Sequence, residues 1–222
     1  MGHHHDDFEG HEPVPGLPAL LPAGERLLWQ GKPSGWQMAV HVMHVRKVAL
    51  WFLLVAAWRW MVVANDGGTV ADAVAAAGVA ALWGAAACAI LALLAWVTAR
   101  SAIYSITSAR VVMRFGIALP VTLNVPLAQI VGADVERLGG AAGSVMLHTS
   151  EHARLSWAVL WPHARPWKLS RPQPALRAMA DVSEPQAVLG RELARVHGVA
   201  ARSAAPEAET ASGAPTAEPA IA

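Results

Sequence analysis

The chain has few of the features that mark disulfide scaffolds, metal sites or nucleic-acid binding. It contains a single cysteine, Cys88, which excludes a disulfide framework and a cysteine metal site. Its formal net charge is +1, so it offers no excess of cations to a nucleic acid. Only 15% of its 222 residues are charged, whereas 55% are hydrophobic. This balance is typical of a small membrane anchor joined to a soluble module.

Signatures of catalysis are also missing from the sequence. No nucleophile elbow, HExxH motif or phosphate-binding glycine loop occurs. His148, His152 and His163 could converge in a folded sheet, but no carboxylate or cysteine stands beside them at ligand spacing. We therefore expect surface or hydrogen-bonded histidines, and a protein without enzymatic activity, metal or cofactor.

Two long apolar runs dominate the first half of the chain. Ala73–Val97 has 25 residues and no charge, so as a helix it would span the ~30 Å hydrocarbon layer of a membrane. Val48–Ala64 has 17 residues, the lower limit for a span, and Arg59 is its one charge. For this shorter run a buried or interfacial helix is the alternative. The polar link Asn65–Thr69 favours a transmembrane hairpin over residues 48–99.

The charges that flank the two runs predict their orientation. The turn carries Asp66 and Asp72 but no lysine or arginine, whereas the other ends of the runs are basic. The positive-inside rule then places both termini in the cytoplasm, as in a multi-pass protein of the bacterial inner membrane. The same cations could instead contact anionic lipid headgroups. They are Arg46, Lys47, Arg100, Arg110 and Arg114.

The rest of the chain divides into segments of distinct composition. Residues 1–24 are polar and proline-rich, and residues 201–222 are rich in alanine, proline and glutamate, so both are predicted to be disordered tails. The first forty residues lack an apolar signal-peptide region, and the first span is expected to act as the insertion signal. Residues 25–47 are predicted to form a short strand and an interfacial lead-in to the first span.

Residues 100–200 are predicted to form one soluble domain. Short β-type runs occur at 103–107, 111–115, 121–125, 130–138, 144–148 and 155–160, which indicates a small antiparallel sheet or open barrel. Ser183 and Gln186 form a capping-box pattern before an amphipathic helix near Glu184–Val199. The fold class is therefore α+β, a helical hairpin followed by a small sheet and a C-terminal helix.

A proline-rich segment, WPHARPWKLSRPQP at residues 161–174, is the candidate partner-binding surface. Its prolines pre-order an extended chain, which lowers the entropy lost on binding. Tryptophan and arginine often dominate interface energetics, so we expect Arg165, Trp167, Arg171 and Gln173 to lead in docking. The alternative is that the segment packs on its own sheet as a rigid brace.

Two sets of motifs carry a family resemblance. Gly24-Glu25 to Pro33 before the hairpin, followed by Tyr104-x-x-Thr107-x-x-Arg110 and Arg114-x-Gly116, resembles membrane-anchored bacterial pleckstrin-homology (PH-like) proteins. The segment 161–174, together with His44-Val45-Arg46-Lys47-Val48 and Arg110-Val111-Val112-Met113-Arg114, resembles the PuhB family of photosynthetic complex assembly proteins. The resemblance covers roughly residues 12–198.

The resemblance implies a non-enzymatic role in assembling the photosynthetic reaction centre, and its associated light-harvesting complex, in the membrane of purple bacteria. It implies docking on reaction-centre subunits, among them the H subunit, beside membrane lipid. Neither span contains a histidine that could hold a chlorophyll-type ring, which disfavours a pigment-binding subunit. The alternative is a membrane-tethered PH-like module that binds lipid headgroups or peptides in another envelope process. The sequence leaves open whether the chain forms a homo-oligomer.

The hairpin prediction can be tested with topology reporters. A reporter fused at Gly67 and another fused at the C-terminus should report opposite sides of the membrane, because an acidic turn separates two basic ends. Activity of both fusions in the same compartment would exclude a two-span hairpin.

Overall fold

The α+β fold class predicted from the sequence is confirmed. The computed structural model describes residues 16–17, 20–117, 120–150, 160–164 and 172–211. Two long helices precede most of the strands, and a helix follows the last strand. The elements are β1 (Leu27–Gly31), α1 (Gly35–Gln37), α2 (Val45–Asn65), α3 (Val70–Ser101), β2 (Ile103–Thr107), β3 (Arg110–Phe115), β4 (Val121–Pro126), β5 (Ile130–Gly139), β6 (Ala142–Thr149), β7 (Ala175–Met179) and α4 (Ser183–Ala211). A π-helical turn, Met38–Val42, and a 3-10 turn, Leu127–Gln129, complete them.

The strands form two antiparallel sheets. The first has the order β1-β2-β3-β4 and the second has the order β5-β6-β7. A bridge between Pro33 and Met179 joins β7 to the chain just after β1. At the opposite side the 3-10 turn connects β4 to β5, and Ser150 N–H donates to Gln129 O. The described strands do not close into a barrel, which agrees with the predicted open arrangement.

The helical hairpin is inserted between two neighbouring strands of the first sheet. β1 precedes the hairpin and pairs antiparallel with β2, which follows it, so that Gly31 lies opposite Tyr104. The predicted soluble domain began at residue 100, but its sheet also includes this earlier strand. The chain therefore leaves the sheet, forms the hairpin and returns to the adjacent position.

The turn of the hairpin is defined by local hydrogen bonds at both helix ends. At the end of α2, Gly68 N–H donates to Val63 O and Gly67 N–H donates to Ala64 O, the two bonds of a Schellman motif. Gly67 has a φ of +78°, the left-handed conformation that this motif requires. Thr69 and Asp72 then form a reciprocal capping box that begins α3. The polar link thus reverses the chain direction, and its local hydrogen bonds pair backbone groups at the end of α2 and at the start of α3.

The two helices pack closely through small residues of α3. Ala80 and Gly84 are buried, and both belong to a row of small residues spaced four apart. A Cβ atom at Gly84 would lie 2.5 Å from the Cβ of Phe52 on α2, so only glycine permits this approach. Both helices are long and apolar enough to cross a membrane. Most of their large side chains are exposed in the isolated chain, as a lipid environment would require.

The hydrophobic core of the soluble domain lies between the two sheets and α4. Ile106 and Met113 come from the first sheet, and Leu147 and Leu176 from the second. The apolar face predicted for the C-terminal helix, Val188, Leu189 and Leu193 with Val196, packs on this core. Burial of these side chains at about 25 cal/mol per Å² is what holds the helix on the sheets.

A second, smaller cluster connects the base of the hairpin to β7. Met38, Ala39, Ala95 and Ala178 are all buried in it. Ala178 has a φ of +55°, and Ser34 N–H donates to its carbonyl oxygen at 2.7 Å. We call this cluster the joint, because it packs the base of both helices against the second sheet.

The structure differs from the predicted segments at several places. β7 was not predicted, because Ala175–Met179 is short, alanine-containing and preceded by the proline-rich segment. Leu17 is buried and Gly16 packs against Ile103, so part of the predicted disordered tail lies on the domain. Helix α4 continues to Ala211, past residue 201 where the second tail was predicted to begin. The predicted strand 155–160 lies outside the described residues except for Leu160.

Gly84 offers a direct test of the hairpin packing. Gly84→Ala should destabilise the hairpin by roughly 1–3 kcal/mol, because the added methyl group must separate α3 from Phe52. Gly78→Ala is the matched control, since a Cβ there meets nothing within 4 Å. Unfolding in mixed detergent micelles, followed by tryptophan fluorescence, measures both. Equal effects of the two substitutions would show that helix propensity, rather than contact with Phe52, governs stability.

Candidate partner-binding site

The predicted docking segment, residues 161–174, is described at its two ends. Arg165, Trp167 and Arg171, three of the four residues expected to lead in docking, lie outside the described residues. Trp161–Ala164 and Pro172–Pro174 are described, and their contacts show how the domain holds the segment. The fourth expected residue, Gln173, lies in the second of these stretches.

The two ends of the segment are fastened to each other. Ala164 and Pro174 form an antiparallel bridge, and Ala175 N–H donates to His163 O at 2.9 Å. Pro174 O in turn accepts a hydrogen bond from Leu147 N–H of β6, also at 2.9 Å. The two ends of the segment therefore lie side by side next to the second sheet.

A buried histidine anchors the first end. The Tyr104 hydroxyl lies 2.6 Å from His163 Nδ1, and both side chains are almost fully buried. The ring of Phe115 lies 4.7 Å from the imidazole, centroid to centroid. Burial lowers the pKa of His163 to about 3, so the imidazole is neutral and Nδ1 can accept the tyrosine proton. Burial also raises the pKa of Tyr104, which keeps its hydroxyl a donor.

Gln173 and His148 form a small polar network at the other end. Gln173 Nε2 lies 3.4 Å from His148 Nδ1, and His148 Nε2 lies 2.7 Å from an Asp134 carboxylate oxygen. His148 thus has the hydrogen-bonded role expected for it. His163 also has such a role, whereas His152 lies outside the described residues. Gln173 is fixed against β6, which suits a residue that positions the segment.

Arg177 was not predicted as a site residue from the sequence, yet it connects Tyr104 of β2 to Ala164 of the segment. Its backbone N–H donates to the Tyr104 hydroxyl, and its Nη1 donates to Ala164 O, each at 3.3 Å. Burial lowers the pKa of this guanidinium from its ordinary value. Among the described residues its Nε has no hydrogen-bond acceptor. The only sequence signal was a single cation inside the short run Ala175–Met179.

Most of the basic residues predicted for the membrane surface lie at the base of the hairpin. Arg46 and Lys47 are exposed in the first turn of α2, and Arg100 is exposed in the last turn of α3. The Arg100 guanidinium lies 5.3 Å from the centre of the Trp96 ring, a cation–π contact. Arg114 lies opposite Ile103 in the first sheet, and Ile103 is the second residue after the end of α3.

Arg110 has a different role from the one predicted for it. It is the first residue of β3 and lies beside the far end of β2, about 16 Å along that strand from Ala102, the residue that follows α3. Its Nε and Nη2 donate to the two oxygens of Glu25 at 2.9 and 2.7 Å. The Thr107 hydroxyl donates to the same carboxylate. The Arg110 hydrogen bonds hold the pKa of Glu25 below its ordinary value, and the pair is matched within the protein rather than available to lipid.

Comparison with known families agrees with this architecture. The family model described as "Bacterial PH domain" matches residues 38–193, which include the hairpin, β2 to β7 and the first part of α4.

The chain belongs to the bacterial PH domain family.

A protein of Rhodobacter capsulatus described as an "Uncharacterized 23.7 kDa protein in puhA 5'region" is 40% identical over 190 residues, which cover 85% of this chain and 87% of that protein. No solved structure matches the chain.

Among the described residues, no group of three or more histidine, cysteine, aspartate or glutamate side chains could hold a metal ion. Trp161, at the start of the predicted segment, is exposed, and the half-buried Arg177 contacts Ala164 near that start.

The buried histidine predicts a pH dependence of stability. Because the folded-state pKa of His163 is about 3 and its ordinary value is 6.5, the unfolded chain binds more protons between these values. The stabilisation is complete above pH 6.5 and is lost as the pH falls, by up to about 1.4 kcal/mol per pH unit. The free energy of unfolding in urea, measured at about pH 7 and at about pH 5, gives this loss. Both pH values lie above the ordinary pKa values of carboxylates, so protonation of acidic side chains contributes little to the difference.

His163→Gln is the matched variant for this measurement. A glutamine oxygen can still accept the Tyr104 proton, but the side chain does not titrate. The variant should therefore show a smaller loss of stability between the two pH values. An unchanged pH dependence would assign the effect to other groups, among them His44, whose pKa is also lowered by burial.

Proposed function

We propose that this chain is a membrane-anchored, non-enzymatic assembly factor for the photosynthetic reaction centre and its associated light-harvesting complex. It acts by docking on reaction-centre subunits, in particular the H subunit, at the cytoplasmic face of the membrane. The observation that carries the proposal is the relative described as lying in the 5' region of puhA, a reaction-centre gene. An identity of 40% over most of both chains supports a shared role.

The architecture supports a protein that works at a membrane surface. Two apolar helices form the hairpin, and the joint packs their base against the sheet that also holds the docking segment. A domain attached through both ends of a hairpin has a more restricted orientation than one attached through a single linker. The basic residues at this end favour the cytoplasmic side under the positive-inside rule.

The proposed contact is the segment 161–174, whose ends are held by the two sheets. His163 and Ala164 fix its beginning, while Gln173 and Pro174 fix its end. Fixing both ends reduces the entropy that the segment would lose on binding a partner. Arg165, Trp167 and Arg171 remain the side chains proposed to contact that partner.

A second candidate function is a PH-like module that binds lipid headgroups or peptides in another envelope process. The exposed cations Arg46, Lys47 and Arg100 at one end of the hairpin favour contact with anionic headgroups, at about 1 kcal/mol each. This contact also serves an assembly factor, since it orients the domain on the membrane. The relative's position beside puhA favours the first candidate.

Affinity purification from photosynthetic membranes tests the docking proposal. The tagged full chain should co-purify with the reaction-centre H subunit when it replaces the native copy. Changing both Arg165 and Arg171 to alanine should lower this recovery by about tenfold or more, because arginines often dominate interface energetics. The amount of assembled reaction centre, measured by absorption of the membranes, should fall with it.

The matched control replaces Arg137 and Arg191, two exposed arginines on β5 and α4, by alanine. It should leave both recovery and complex levels unchanged. Loss of the Arg165/Arg171 variant from the membrane would show that the segment is a structural brace. A stable variant with normal recovery would contradict the segment as the docking surface. Normal complex levels in cells that lack the protein altogether would contradict the assembly role.

A further inference from the structure

The hairpin contains an apolar groove with one arginine, a combination that the proposed assembly role does not require. An open groove of about 700 Å³ runs between α2 and α3 on one side of the hairpin. Phe52 and Val55 line it from α2, and Val79, Trp83 and Ile90 line it from α3, with alanines between them. Apart from Arg59, every lining side chain is aliphatic or aromatic. The groove is therefore apolar, and Arg59 is the one cation in its lining.

Arg59 lies at the end of the groove nearer the turn. It stands six residues before the end of α2, about 9 Å from the turn, and Ala76 of α3 lies at the same depth. Among the described residues no carboxylate forms an ion pair with Arg59, and no acidic side chain lines the groove. A charge inside a membrane span is costly unless it pairs with an opposite charge or reaches the interface.

We propose that this groove binds an anionic phospholipid, whose phosphate pairs with Arg59 and whose acyl chain lies between α2 and α3. The inference rests on the proposed membrane hairpin but not on reaction-centre assembly. The lipid would belong to the leaflet on the turn side, because Arg59 reaches that interface through its flexible stem. The phosphate supplies the negative charge that the described protein residues do not.

The length of the groove favours a lipid chain over a helix of another protein. On α2 the lining extends from Phe52 to Arg59, about 10 Å, and on α3 from Ala76 to Ile90, about 21 Å. One leaflet of hydrocarbon is about 15 Å thick, half of the ~30 Å core. A transmembrane helix of a partner requires a contact over roughly the whole core. The groove thus matches one acyl chain that extends inward from a headgroup.

Native mass spectrometry of the full chain, released from nanodiscs containing equal amounts of phosphatidylglycerol and phosphatidylcholine, tests the proposal. The protein should retain phosphatidylglycerol at least about fivefold in preference to phosphatidylcholine, because one cation beside an anionic headgroup contributes about that factor. Arg59→Gln should lower this preference about fivefold, and the exposed cations at the base of the hairpin account for any preference that remains. Arg191→Gln is the matched control, because Arg191 is an exposed cation of α4 outside both the groove and the basic base of the hairpin, and it should leave the preference unchanged.

A second pair of variants tests the groove itself. Ala87→Leu places a larger side chain in the lining and should reduce the retention of both lipids. Ala75→Leu, an exposed position of the same helix outside the lining, should retain both as before. An unchanged preference in Arg59→Gln, equal losses in both arginine variants, or full retention in Ala87→Leu would overturn the proposal.

The outcome is separable from that of the assembly proposal. The lipid measurement uses the isolated chain, so it does not depend on reaction-centre subunits. Failure of the chain to enter nanodiscs would contradict the membrane hairpin and the lipid site together. Normal lipid selection in a chain that does not affect reaction-centre levels would contradict only the assembly role.

Discussion

The pairing of β1 with β2 is the constraint on which the rest of the structure depends. Gly31 lies opposite Tyr104, so the chain that enters the hairpin and the chain that leaves it are one strand spacing apart, about 4.8 Å. The short turn between Asn65 and Val70 makes the two helices antiparallel, and Val45 near the start of α2 and Ala95 near the end of α3 meet in the joint. The glycine at position 84 then allows the helices to pack tightly. The sheet and the hairpin are therefore stabilised together, not as independent parts.

The ion pair between Glu25 and Arg110 reinforces this pairing at the other end of the strands. The Glu25 side chain is only 6% exposed, so the loss of hydration has to be offset by good geometry. The bidentate guanidinium and the Thr107 hydroxyl supply it. These three residues belong to the motifs that resemble the PH-like family. In the structure these residues join the segment before the hairpin, which carries Glu25, to the segment after it, which carries Thr107 and Arg110. Their role in the fold is therefore to hold these two segments together.

The joint and the buried Tyr104–His163 pair connect the helical hairpin to the proposed docking segment. Tyr104 lies on β2, which follows α3 after a single residue, and its hydroxyl holds the beginning of the segment through His163. Ala178 on β7, just beyond the end of the segment, packs on the base of both helices. The position of both ends of the segment relative to the hairpin is therefore set by packed side chains.

The sequence alone determined the elements whose signals are local. Long apolar runs, a polar turn, short β-type runs and an amphipathic pattern predicted the hairpin, β1 to β6 and the C-terminal helix, because each depends on residues within a few turns or strand positions. The predicted capping box at Ser183 and Gln186 does not form, since the Ser183 hydroxyl donates to Asp181 instead. Only the tertiary structure decided which of these parts meet. Arg110 looked like a membrane-surface cation until folding brought Glu25 to it across 85 positions of sequence. Arg177 and β7 carried no clear local signal, since their roles arise from contacts with Tyr104, Ala164 and the joint that exist only once both sheets have assembled.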